Sequence, residues 1–126
     1  MSNTYLYLKL LLRSNLLLDL DEYALLDTRQ QGLVCSFMEM RLASVFQPVF
    51  RSDGSRCGRK ALLRASLFEH GDLSPRSAFD AALSRCRIVQ FDRLVRIIHL
   101  LNHARGASEK ELLFLNVPPS VAVQCP

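Results

Sequence analysis

The chain has 126 residues, 49% of them apolar and 22% charged, and a formal net charge of +4 at pH 7. That suits one small domain with a real core and excludes an intrinsically disordered chain. The basic residues are spread from Arg41 through Arg59, Lys60 and Arg64 to Arg96; no nucleic-acid-binding motif accompanies them, so nucleic acid is not an expected partner.

Residues 5–27 read as helical and carry Leu6, Leu8, Leu10, Leu11, Leu12, Leu16, Leu17, Leu18 and Leu20. Lys9, Arg13, Asp19 and Asp21 interrupt the run, so no uncharged stretch reaches the ~18 residues of a membrane span. Charges inside the stretch, and no small-residue cleavage site after it, also exclude a signal peptide. The expectation is an amphipathic helix that packs on the body of the protein or on a second copy. Residues 28–40 follow as a second helix, with Leu33, Phe37 and Met40 at helical spacing.

From Ala43 to Phe50 the character changes. Val45, Phe46, Val49 and Phe50 suit a strand. Pro48 cannot donate to a ladder, which predicts an edge or an irregular pairing. Ser52, Asp53, Gly54 and Ser55 spell a turn, and a strand from about Gly58 to Arg64 returns antiparallel to the first. Ser74 then caps a helix whose first residue is Pro75 and which continues through Phe79, Ala82 and Leu83. A further helix carries Ile88, Phe91, Leu94, Val95, Ile98 and Leu101 on one face. Gly106 stops it. The apolar run 112–117 reads as a strand buried on both faces, ended by Pro118 and Pro119. The order is that of an α/β sheet at its opening.

Cys35, Cys57, Cys86 and Cys125 form no C-x-x-C pair, which points to reduced thiols in a cytoplasmic protein rather than to zinc. His99 and His103 are four apart, but residue 100 is Leu, so the H-E-x-x-H metal motif is absent; both are expected on a solvent-exposed face beside Arg96. Asp19, Asp21 and Glu22 are acidic neighbours without the loop spacing of a calcium hand.

Five segments in order resemble the first half of an EAL domain, the cyclic-di-GMP phosphodiesterase family. They are Val45-Phe46-Gln47-Pro48-Val49, then Gly58-Arg59-Lys60-Ala61-Leu62-Leu63-Arg64, then Gly71 with Leu73-Ser74-Pro75-Arg76-Ser77-Ala78-Phe79. Phe91-Asp92-Arg93 and Phe114-Leu115-Asn116-Val117-Pro118-Pro119 complete the set. The resemblance implies a partial TIM-barrel-like fold with its first strand antiparallel, preceded by N-terminal helices. Residues 1–42 would be the helical segment and residues 43–126 a truncated EAL-like α/β domain; a full TIM barrel takes about 250 residues.

The family reaction is metal-assisted phosphodiester hydrolysis. By resemblance, the first residue of the Glu-Ala-Leu motif and the Asn after the third strand are metal ligands. Asn116 is present, but the motif reads Lys60-Ala61-Leu62. An ammonium has no lone pair for a cation, and deprotonating a lysine at pH 7 costs about 4–5 kcal/mol. Lys60 therefore removes a metal rather than recruiting one, leaving either a lysine without ligand role or a fixed positive charge for a phosphate. Arg64 holds the position that would fork onto phosphate oxygens, and Gln47 the one that would touch a guanine; both read equally as solvated strand-end residues.

The expectation is a catalytically inactive EAL-like module that binds a protein partner, associates with itself, or holds cyclic-di-GMP weakly. No cofactor is expected; magnesium or manganese would be needed only by an active enzyme. The alternative is part of an active phosphodiesterase, completed by another chain or segment.

Overall fold

The computed structural model describes residues 25–106 and 110–116. In chain order these form β1 (Leu26–Thr28), β2 (Gly32–Phe37), β3 (Met40–Phe50), β4 (Arg56–Leu67), β5 (Gly71–Leu73), α1 (Pro75–Ser84), α2 (Ile88–Gly106) and β6 (Leu112–Phe114). The architecture is mixed α/β: an open sheet, antiparallel apart from one pair, with two helices. Strands β1 to β5 are paired in sequence order, and β6 pairs with β4 in parallel. β4 thus meets β3 along one edge. On its other edge β6 takes the Gly58–Lys60 end and β5 the Ala65–Leu67 end.

The hairpin expected over 43–64 is the centre of the sheet, and it is longer than its sequence signals. Asp53 Oδ1 accepts from the backbone N–H and hydroxyl of Ser55 at 2.8 and 2.6 Å, and Gly54 takes φ +89°. Pro48 pairs with Arg59. β2 pairs with β3 only over Met40–Leu42, so Pro48 lies on a stretch whose other edge meets no described strand, which is where a residue without an N–H belongs.

Two expectations are corrected. Residues 28–40 are not a helix but the β1–β2–β3 meander; Met38 and Glu39, with φ of 52° and 65°, make the two-residue turn between β2 and β3. The strand expected over 112–117 covers only Leu112–Phe114 in the described residues. It is not buried on both faces, since Leu112 is 54% and Phe114 40% exposed. Of the helix expected over residues 5–27, residues 5–24 lie outside the described residues, and the described end is not helical, since Leu26 and Asp27 belong to β1.

α1 begins as its sequence requires: Ser74 Oγ accepts from the Ser77 N–H at 3.1 Å and Pro75 is the first helical residue. It ends in a Schellman-type turn. The Arg87 N–H reaches the Ala82 carbonyl and the Cys86 N–H the Leu83 carbonyl, with Cys86 at φ 55° in the position glycine usually takes. α2 buries Ile88, Phe91, Leu94, Val95, Ile98 and Leu101, the stripe read from sequence, against Leu33, Cys35, Phe37, Leu42, Leu63 and Ala65 of the sheet. Each large side chain so buried contributes roughly 1.5–3 kcal/mol. Phe91 sits at the centre, its ring 5.6 Å from Phe37 and 4.8 Å from Phe79.

Candidate functional site

Strand alternation sorts the candidate residues. Leu42, Ser44 and Phe46 of β3, with Ala61, Leu63 and Ala65 of β4, face the helices. Their neighbours face the other way. There the register sets Gln47 opposite Lys60, Val45 opposite Leu62 and Ala43 opposite Arg64, while Lys60 lies beside Phe114 of β6. Gln47, Lys60 and Arg64 therefore share the sheet face turned away from α1 and α2. Gln47 and Arg64 are exposed and Lys60 is half-buried. Asn116, two residues past Phe114, is exposed beyond the end of β6.

The β3 and β4 side chains on this face run Arg41, Ala43, Val45 and Gln47 against Lys60, Leu62, Arg64 and Ser66. Three are cations and none is a carboxylate. Such a set offers hydrogen-bond donors and positive charge to an anion, and no anionic oxygen to a divalent cation. Exposed Val45, Leu112 and Phe114 border Lys60 and add apolar area. Among the described residues no group of three or more His, Cys, Asp or Glu side chains is placed to hold a metal.

The histidines overturn their expected exposure. His99 is 5% exposed, with Nδ1 2.6 Å from Ser44 Oγ. Ser44 Oγ also accepts from Asn102 Nδ2 at 3.1 Å, so its own proton is free for Nδ1. Asn102 completes the seam: Oδ1 accepts from the Leu33 N–H at 2.8 Å and Nδ2 donates to the Leu33 carbonyl at 2.9 Å. Burial pushes the His99 imidazole down to about 4, because a charged ring would be desolvated there.

His103 is held one turn further along α2. Arg59 Nε donates to its Nδ1 at 2.9 Å and Arg59 Nη2 to its carbonyl at 3.2 Å. That leaves Nε2–H to face the Glu111 carbonyl at 3.3 Å. Burial and then the Arg59 charge lower the His103 pKa. The Arg59 guanidinium lies 3.9 Å over the Phe46 ring, and Arg56 bridges to Glu111 at 2.6 Å. The two imidazoles are four residues apart yet engaged by different partners. They are joints between helix and sheet, not a ligand pair. No sequence signal could have found this, because Ser44 and Arg59 meet α2 only through the fold.

Beside this seam a shallow cleft of ≈ 370 Å³ is lined by Gln31, Ser44, Phe46, Arg59, Asn102 and Arg105 among others. Arg105 is paired there with Asp27 at 2.9 Å. Cys35, Cys57 and Cys86 are free thiols, and burial pushes Cys35 up to about 12, so it is inert. Cys125, Asp19, Asp21 and Glu22 lie outside the described residues. No described helix is long and apolar enough to cross a membrane. In comparisons with known proteins, no family model, no curated protein and no solved structure matches the chain.

Proposed function

We propose that the chain is a non-catalytic, EAL-like binding module in which the sheet face turned away from α1 and α2 receives an anionic partner. The reading rests on one observation above all: Lys60 stands in the sheet between Gln47 on one side and Phe114 on the other. The residue that would be a metal ligand by resemblance is therefore an ammonium in the middle of the face, with a potential guanine contact beside it and Arg64 on the same strand. The order of an antiparallel hairpin, two helices and a strand parallel to the second hairpin strand agrees with the opening of an EAL barrel and supports the resemblance. Protein surfaces bearing acidic side chains and the bridged phosphates of cyclic-di-GMP share the chemistry this face would recognise.

Calorimetric titration with cyclic-di-GMP, with and without magnesium, tests the reading. Metal-independent binding that is lost in Arg64→Ala supports a nucleotide receptor. Absence of binding confines the role to a protein partner. Metal-dependent turnover of the dinucleotide by the purified chain refutes the non-catalytic reading.

A further inference from the structure

The sheet splits between β2 and β3, and a side chain holds it open. Met38 and Glu39 form a two-residue turn with both φ positive, so Phe37 and Met40 exchange both backbone hydrogen bonds, as do Cys35 and Leu42. The same register would next set Leu33 against Ser44 and Gln31 against Phe46, but the pairing stops at Leu42. The Asn102 amide stands in the gap. It engages the N–H and the carbonyl of Leu33 at 2.8 and 2.9 Å and the Ser44 hydroxyl at 3.1 Å. Gly32 makes room for it: a Cβ there would lie 2.7 Å from Asn102 Oδ1.

Strand alternation fixes what the split leaves open. β3 pairs with β4 without a register shift from Met40 to Val49, so its even-numbered residues turn their backbone groups away from β4, toward the side that β2 has left. Ser44 and Phe46 each present a donor and an acceptor there. Pro48, the next in the series, presents an acceptor alone. No described residue bonds to these backbone groups on that side. They border the cleft of ≈ 370 Å³, whose lining holds Arg29, Arg59 and Arg105 and no carboxylate. Arg59 is held beside the edge, over the Phe46 ring at 3.9 Å. Arg105 is paired with Asp27, whereas Arg29 is exposed in the β1–β2 turn.

We propose that this cleft takes an extended acidic segment of another protein, which adds to the edge of β3 as a short strand. A strand is the partner that matches a row of backbone donors and acceptors. Its residues opposite Ser44 and Phe46 project to the same side as those side chains, into the cleft, where a carboxylate comes within reach of the arginines. Charge selects this occupant over a second copy, because two β3 edges paired about Phe46 would bring the arginines of both clefts together. Pro48 ends the ladder, so the contact is short and the carboxylates supply much of its affinity. The site lies on the edge and helix side of β3, away from Lys60, and does not depend on what the other face binds.

Amide hydrogen exchange and NMR titration of the full-length chain test the proposal. In the chain alone, the Phe46 N–H should exchange at least about tenfold faster than those of Val45 and Gln47, which bond to β4. The probe is an end-blocked heptapeptide of alternating glutamate and valine, whose carboxylates share one face in any register. At saturation it should slow Phe46 exchange at least about tenfold and leave Val45 and Gln47 unchanged. The same peptide with methylated backbone nitrogens should not bind. A glutamine–valine version should bind at least about tenfold more weakly, and Arg29→Glu should weaken the acidic peptide at least about threefold. Slow Phe46 exchange in the chain alone overturns the open edge, and if that protection fades on dilution the edge belongs to a second copy. Equal binding of the glutamine peptide overturns the acidic partner. Shifts confined to Lys60 and Arg64, and lost in Lys60→Glu, would place the peptide on the other face and overturn the site.

Discussion

Ser44 Oγ and His99 Nδ1 lie 2.6 Å apart across the boundary between β3 and α2, and the burial of the imidazole at this contact makes the helix–sheet seam sensitive to protonation. The imidazole is buried and its pKa is lowered to about 4. In the unfolded chain it would titrate near 6.5. Between those values the unfolded state binds the extra proton, so stability rises with pH. The contribution is fully present above about 6.5 and is lost as pH falls toward 4. At about pH 5 the loss is on the order of 2 kcal/mol relative to neutral pH. Urea unfolding at the two pH values should show it, and His99→Gln should flatten the dependence. His103, lowered chiefly by burial, acts with the same sign and leaves a smaller residual slope.

Asn102 is the member of the seam with the most to lose. Its amide satisfies both the N–H and the carbonyl of Leu33 and also donates to Ser44. Asn102→Ala strands two backbone groups of a buried strand residue. Each buried group left unsatisfied costs about 1–3 kcal/mol, so a loss of about 2–6 kcal/mol is expected in chemical denaturation. Ser44→Ala, which removes one hydroxyl with neighbours on both sides, should cost less than Asn102→Ala.

The parts of the fold legible in the sequence were those with local chemistry. Ser74-Pro75 started α1, the 3.6-residue stripe from Ile88 to Leu101 marked α2, and Asp53-Gly54 marked the β3–β4 turn. The β2–β3 hairpin reads as a helix in the sequence for a definable reason. Leu33 and Phe37 are four apart, which places them on one face of a helix and equally on one face of a strand, since four is an even number. Met40 continues the helical spacing but belongs to the next strand. The turn between them, Met38-Glu39, carries none of the Asn-Gly or Asp-Gly chemistry that betrays a two-residue hairpin. The candidate residues Gln47, Lys60 and Arg64 were legible one by one. That they share a face became visible only with the register.

The same turn yields a stabilising substitution. Glu39 is exposed at φ 65°, and Cys86 is exposed at φ 55° in the turn that ends α1. A side chain in the left-handed region costs about 1 kcal/mol that glycine avoids. Glu39→Gly and Cys86→Gly should each raise stability by about 0.5–1 kcal/mol, and because the sites are in separate turns the gains should add. Thermal unfolding of the two single variants and the double variant checks both the sign and the additivity.

Gly58 shows how closely β6 approaches β4. A Cβ on this buried residue would collide with the Leu112 carbonyl and lie 2.9 Å from the Leu112 Cβ. The parallel pairing of Gly58 with Leu112 therefore requires a residue without a side chain. Gly58→Ala should push β6 away. Hydrogen exchange at Leu112–Phe114 should accelerate while the α2 core keeps its protection, with a cost of about 1–3 kcal/mol from overpacking. Unchanged exchange at β6 would mean that the two strands tolerate a wider spacing.

Lys60→Glu restores the residue that the EAL resemblance would place there and tests whether that single change can rebuild a metal site. The new carboxylate would sit between Gln47 and Phe114. It would find no other carboxylate among the face residues of β3 and β4, and Asn116 is exposed beyond β6. A divalent ion takes several oxygen ligands, and one acid cannot hold it. The variant should therefore remain unable to hydrolyse cyclic-di-GMP in magnesium or manganese. Binding of an anionic partner to the face should weaken instead, because the local charge has moved by two units next to Arg64. Phosphodiesterase activity appearing in Lys60→Glu would show that the remaining metal ligands are present in the protein after all.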